Sequence, residues 1–235
     1  MQMLIAAAAA FLAIHLFVSG TRLRDTMTAV MGERPYLGLF SLASLGILVW
    51  LAIAYRAAQT SGGDRMLYDL GRGAHDLGIP IVALAFLLGF QGLMMSNPTA
   101  VQQEGAAKEE TIKGVLRITR HPFLWGVVLW SGFHLAANGD QASVIFFGTV
   151  FVLAFFGTFS IDAKRKRNLG VAWDAFGART SNIPFAAAIT GRNVMNIGES
   201  FGWRFWVALA VFVVILFGHT YLFGVSRFPG GITPV

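Results

Sequence analysis

Five histidines fall in or beside apolar stretches, where ionisable groups are rare: His15, His75, His121, His134 and His219. His15 and His134 lie inside long charge-free runs, and His219 sits deep in a third, four residues before Phe223. His75 and His121 stand at the starts of two others. An ionisable group inside an apolar span is costly, so it points to a site. The chain has no cysteine, which excludes disulfides, thiolate zinc, cysteine-held iron–sulfur clusters and c-type haem attachment. Histidines near the ends of apolar helices can instead hold a haem or another imidazole-ligated metal. The ordinary alternative for each is a hydrogen bond to a neighbouring carbonyl, as polar side chains commonly make between membrane helices.

Spacing separates these histidines. On a helix, Trp130 and Ser131 share the face of His134 at i−4 and i−3, and a large aromatic can cap a planar cofactor. Phe11 and Ser19 share the face of His15. His121-Pro122 reads as a helix start with proline at the first helical position, so local work at a membrane boundary is expected of His121. No intact Ser/His/Asp pattern, phosphate-cradling glycine loop or EF-hand occurs. The Phe-rich run from Phe146 to Phe159 is mostly lipid-facing bulk, one edge of which can line a polyene or quinone cleft.

The elements that must position these side chains follow from composition. The 235 residues are 55% hydrophobic and 13% charged, with a mean hydropathy of +0.62; soluble domains carry about 25% charge. This predicts an all-α polytopic membrane helix bundle forming one domain over 1–235, with about six transmembrane helices and short interfacial helices. Six charge-free stretches are near the ~20 residues a span needs: Met1 to Gly20, Leu37 to Tyr55, Leu77 to Met95, Pro122 to Gly139, Ala142 to Ile161 and Phe205 to Ser226. Continuous apolarity without ten-residue alternation argues against a barrel. Fourteen of the 18 Lys and Arg residues fall in the loops 21–36, 96–121 and 162–204, which predicts that these face the cytoplasm and that both termini lie outside, periplasmic in a bacterial inner membrane. The net charge of +6 therefore reports topology, and no nucleic-acid partner is expected.

Smaller pieces occupy the loops. Gly32 to Tyr36 starts the second helix, with Pro35 in its first turn. Lys108 to Thr119 has helical spacing and predicts a helix that lies along the interface or leads into the fourth span. Asp162 to Arg167 reads as a basic juxtamembrane run attracted to anionic headgroups. Asn182 to Thr190 is apolar but too short to span, and is expected to dip into the interface or fold beneath the bundle.

The blocks GVLRITRHPFLWGVVLWSGFHLAANGD, GERPYLGLFSL, DAKRKRNLGVAWDAFGARTSNIPF and HTYLFGVS, in this order and over nearly the whole chain, resemble the NnrU family. That family includes haem-dependent 15-cis-ζ-carotene isomerases. The resemblance implies a polytopic membrane protein holding haem b. By position in the motifs, the two ligand histidines of the isomerase branch match His15 and His134. That branch has a cysteine three residues before the second histidine, where this chain has Ser131, a poor iron ligand. Asn138-Gly139-Asp140 and Phe123-Leu124-Trp125 look more like the bacterial branch, associated with nitrite and nitric oxide metabolism. The implied function is a haem-dependent cis-trans isomerase or redox protein, with a lipophilic substrate, membrane lipids and a redox partner around it. His15 lies toward the cytoplasmic side of its stretch and His134 toward the outside, an offset on the order of 8 Å at the helical rise. Tilt can absorb it; otherwise His75 or His219, nearer the outer face, pairs with His134.

A second likeness is to membrane methyltransferases of the isoprenylcysteine carboxyl methyltransferase type, carried by Arg120-His121-Pro122, Phe176-Gly177 and Ile183-Pro184. It implies an S-adenosylmethionine site on the cytoplasmic side. Those proteins carry paired glutamates where this chain has Asp162 followed by bases, and tyrosines around positions 174 and 176. The alternatives to a haem protein are thus such a methyltransferase, or a non-enzymatic assembly or electron-transfer subunit for denitrification.

Overall fold

A computed structural model of the chain describes residues 1–19, 21–71, 76–100, 102–107 and 112–224. Its α-helices are α1 (Gln2–Ala13), α2 (Leu23–Met31), α3 (Glu33–Thr60), α4 (Gly78–Leu93), α5 (Pro122–Ala137), α6 (Gln141–Leu169), α7 (Val171–Ala178), α8 (Ala186–Ile189) and α9 (Trp203–Phe223). Among the described residues there is no β-strand, only an isolated bridge between Met66 and Asp140. The all-helical prediction holds, and each of the six predicted stretches contains a helix.

Length divides these helices. α3, α6 and α9, of 28, 29 and 21 residues, are long and apolar enough to cross a membrane, and α1 with its continuation plus α2 adds a fourth if the bent pair is one broken span. α4 and α5 have 16 residues each, or about 24 Å at the helical rise, which falls short of a ~30 Å hydrocarbon layer.

Local chemistry sets the ends. α3 starts after Gly32, whose φ is +86°. Glu33 faces the positive helix end, and Pro35 sits in the first turn, where a missing N–H costs nothing. α6 carries Lys166 and Arg167 in its last turn and stops at Gly170, with φ +51°. α9 ends on a left-handed Gly224, whose N–H donates to Thr220 O. The predicted interfacial helix from Lys108 to Thr119 is corrected in its described part. Residues 112 and 113 are irregular and Gly114–Arg117 is a single 3₁₀ turn. Gly114 has φ +55°, and its N–H donates to the Glu199 carboxylate, so an α-helix cannot run through it. Lys108 to Thr111 lie outside the described residues.

The chain forms two compact units. The first comprises 1–70 and 134–153, the second 71–133 and 154–235. In the first, Leu4, Ala7, Ala8 and Phe11 of α1 pack with Leu51, Ala54 and Ala58 of α3 and Ala142 of α6. Alanines on three helices allow close backbone approach, as small residues do between membrane helices. In the second, α4 crosses α5 at Gly89 and Gly126, where a Cβ on Gly126 would meet Ala85 O at 2.6 Å. α4 also meets α9 through Phe86 and Phe212, ring centroids 5.8 Å apart.

Candidate functional site

His15 sits in a six-residue π-helical stretch, Ile14–Ser19, that continues α1. Such π turns recur at functional positions because they re-aim a side chain. Its Nδ1 is 2.8 Å from Phe11 O. A carbonyl only accepts, so Nδ1 carries the proton and Nε2 is left with its lone pair. Nε2 is 3.1 Å from Ser44 Oγ, and the hydroxyl therefore donates to it. The ring is half-buried between Phe11 and Phe40, with centroids 4.5 and 5.4 Å away.

His134, in the last turn of α5, belongs to the same unit as His15. Its ring stacks on Phe147, 4.8 Å between centroids and 28° between planes. Phe147 meets Tyr55 edge-on at 5.9 Å, and Tyr55 stacks on Phe146 at 4.6 Å. Phe11, against His15, belongs to the hydrophobic core of this unit, and Phe146 is a partly buried residue packed against that core.

The Asn138-Gly139-Asp140 turn fixes the end of α5 beyond His134. Asn138 Nδ2 donates to His134 O at 2.8 Å, and Asp140 Oδ1 accepts Ser143 N at 2.8 Å, capping α6. The segment 64–68 lies against this turn. Leu67 N donates to Gly139 O at 2.7 Å, Gln141 N to Arg65 O at 2.8 Å, and Ala142 N to Asp64 Oδ1 at 3.0 Å. Tyr68 Oη donates to Leu135 O, and a Cβ at Gly139 would collide with the Tyr68 carbonyl.

The other predicted site residues are placed as follows. Ser131 is fully buried and its hydroxyl turns back on its own helix, donating to Val127 O at 2.6 Å. Trp130 is half-buried one residue before it. His219 lies in the second unit with its ring 4.9 Å from Phe223. His75 lies outside the described residues. Among the described residues no three His, Cys, Asp or Glu side chains gather as a metal site.

A second constellation was missed by sequence reasoning. In the second unit, His121 is 1% exposed, and its Nε2 donates to Asp162 Oδ1 at 2.7 Å. Asp162 Oδ2 pairs with Arg120 Nε at 3.3 Å and accepts Asn182 Nδ2 at 3.2 Å. Burial holds the His121 imidazole below its ordinary pKa, although Asp162 pulls the other way. Burial also lowers Arg120, against the pull of Asp162. His121 Nδ1 is buried without a hydrogen-bond partner, as expected of a neutral ring whose proton is on Nε2. Around the node, Arg120 N donates to Ser181 O, Phe185 N to Ile118 O, and Thr119 Oγ1 to Asn182 O at 2.6 Å. His121 is thereby part of a buried clasp between 118–121, α6 and 181–185.

Arg165, read from sequence as part of a lipid-facing basic run, is 6% exposed and pairs with Glu104 and Ala100 O. Lys166 fits that reading better, being exposed and 3.6 Å from Asp174.

An all-helical chain whose long helices are apolar enough to cross a bilayer is an integral membrane protein. The description NnrU protein matches residues 3–227, and the chain belongs to the NnrU family. It is similar to the chloroplastic 15-cis-zeta-carotene isomerase of Zea mays, 30% identical over 172 residues, which is 72% of this chain and 46% of that protein. It is also similar to the enzyme of the same name from Arabidopsis thaliana, 26% identical over 174 residues, 74% of this chain and 47% of that one. The chain thus spans about half the length of the curated relatives it matches. No solved structure matches it.

Proposed function

We propose that this protein holds haem b between His15 and His134 and acts on a carotenoid-like, lipophilic substrate as a cis-trans isomerase, or as a redox protein in nitrite or nitric oxide metabolism. The observation that carries the reading is the pair of bonds at His15. The Phe11 carbonyl fixes the tautomer and raises the basicity of Nε2, as outer partners of ligating histidines do. The Ser44 hydroxyl, the donor Nε2 now accepts, is a weak partner that a stronger acceptor of the lone pair displaces. His134 is oriented by its stack on Phe147 and by the pinned turn behind it. The donor set, two imidazoles and no thiolate, fits a haem held by histidine alone. When bound, the haem supplies an iron that accepts and returns an electron, transiently lowering the rotational barrier of a conjugated double bond. The protein's own work is to hold both rings and to keep water from them with Phe11, Phe40 and Phe147. Ser131, bonded to its own helix and buried, adds no third ligand.

The topology that goes with this reading has six spans and both termini outside a bacterial inner membrane. α4 and α5 cross in full only where the bilayer thins or the flanking turns extend them. S-adenosylmethionine finds less support, because Asp162, which stands where the methyltransferases carry paired glutamates, is engaged by His121, Arg120 and Asn182.

The test is an absorption spectrum of the detergent-purified protein expressed with full haem supply. A Soret band is expected, and its absence sinks the proposal. Conversion of 15-cis-ζ-carotene in a carotenoid-producing host then separates isomerase from electron carrier.

A further inference from the structure

In the second unit a cavity of about 260 Å³ lies between the C-terminal end of α4 and the N-terminal end of α9. Its lining includes Gln91, Met95, Ser96, Lys113, Glu199 and Arg204. The carboxylate in this set is already consumed. Glu199 accepts Arg117 Nε at 2.8 Å and Nη2 at 3.0 Å, Gly114 N at 2.9 Å and Asn196 Nδ2 at 3.1 Å. Its charge is met by Arg117, which does not line the cavity. Lys113 and Arg204 remain, and among the described residues neither has a carboxylate partner.

Arg204 is held in a defined pose. Its Nε donates to Met94 O at 2.9 Å, and its guanidinium carbon lies 4.9 Å from the Trp203 ring centroid. The two terminal nitrogens are left to form the two-pronged contact that phosphate oxygens accept. Gln91, 7% exposed, spends one amide hydrogen on Leu87 O at 3.1 Å and has a second to give. Ser96 adds an exposed hydroxyl. The set is rich in donors, two of them cationic, as an oxyanion requires. The volume is below the ~300–1,000 Å³ of pockets that take drug-sized ligands, which suits a headgroup-sized ion. Two apolar helices end at this cavity, and Trp203 beside it is 59% exposed. Exposed tryptophans and basic pockets at helix ends mark the headgroup level of a bilayer.

We infer that this cavity binds the phosphate of an anionic lipid headgroup, with Lys113 and Arg204 as its cationic contacts. The inference is independent of haem, since none of its residues belongs to the histidine pair.

The experiment is native mass spectrometry of the full detergent-purified chain, titrated with phosphatidylglycerol, phosphatidylcholine or inorganic phosphate. The expected result is retention of phosphatidylglycerol over phosphatidylcholine, reduced about tenfold by Lys113→Gln or by Arg204→Gln, the loss of one charge-assisted contact. Arg56→Gln, an exposed base on α3, should leave retention unchanged. Arg204 also holds Met94 O, so the Lys113 variant, on an exposed residue, decides if Arg204→Gln melts early. Binding of inorganic phosphate with the same Lys113 dependence would uphold the phosphate site and make free phosphate its source. Equal phosphatidylglycerol retention by the wild type and Lys113→Gln, or no preference over phosphatidylcholine, overturns the site.

Discussion

His121 donates through Nε2 to Asp162 Oδ1 at 2.7 Å across 41 residues of sequence. His121 is buried at the start of α5, and the Asp162 side chain is 22% exposed on α6. Removing Asp162 leaves the buried Nε2–H of His121 without its acceptor, which costs about 1–3 kcal/mol. Asp162→Ala is therefore expected to lower the thermal midpoint in detergent sharply. Asp162→Asn, which still accepts from His121, should cost less. Equal midpoints for wild type and Asp162→Ala would show that the clasp contributes nothing.

The same pair predicts a pH dependence. Burial keeps the folded His121 pKa below the unfolded value of about 6.5. The unfolded chain therefore takes up the proton first. The contribution to stability is complete above pH ~6.5 and is lost as pH falls toward the folded value. Glu199 acts lower on the scale. Its bonds to Arg117 hold it at about 2 against an ordinary 4.5, so its contribution is complete above 4.5 and disappears between 4.5 and 2. Melting curves from pH 8 to 2 should show a first decline below 6.5 that His121→Gln flattens. A second decline below 4.5 should be flattened by Glu199→Gln. An unchanged first decline in His121→Gln would assign it to other groups.

What the sequence made legible tracks how local each cause is. The six apolar helices were readable because charge-free runs announce themselves, and Pro122 and Pro35 marked two helix starts through their missing N–H groups. Asp162 was hidden because its neighbours Lys164 to Arg167 suggested a topology signal, while its partners His121 and Asn182 are distant in sequence. The run ending at Thr119 had helical spacing, but Gly114 takes a positive φ once Glu199 captures its N–H, a contact 85 residues away. The shortness of α4 escaped reading, because hydropathy extends past the residues where the backbone turns. His15 and Ser44 meet across 29 residues, and their bond is visible only in the fold.

Close helix approach supplies a steric prediction. A Cβ at Gly126 would lie 2.6 Å from Ala85 O and 2.7 Å from Gly89 Cα. Both are backbone atoms that cannot swing aside, so α4 and α5 must separate. Overpacking of this kind costs about 1–3 kcal/mol. Gly126→Ala should lower the midpoint accordingly, whereas Gly157→Ala, whose nearest neighbour is Leu124 Cδ1 at 3.7 Å, should be neutral or slightly stabilising through helix propensity. Equal midpoints for the two variants would contradict the close crossing.

The bond from Ser44 to His15 Nε2 yields the sharpest check of the ligand proposal. If Nε2 is the atom that binds iron, the Ser44 hydroxyl competes with it for one lone pair. Ser44→Ala removes the competitor without touching Nδ1, which stays on Phe11 O. The variant is expected to hold haem at least as tightly as wild type, with a Soret band in place. His15→Ala and His134→Ala should each shift or weaken that band. A hydrogen bond is worth about 1 kcal/mol net, so the gain from Ser44→Ala should be about fivefold in haem affinity, read by competition with apomyoglobin. If Ser44→Ala weakens haem binding while His15→Ala leaves the spectrum untouched, His15 is an ordinary helix-joining histidine. The partner of His134 must then be sought elsewhere.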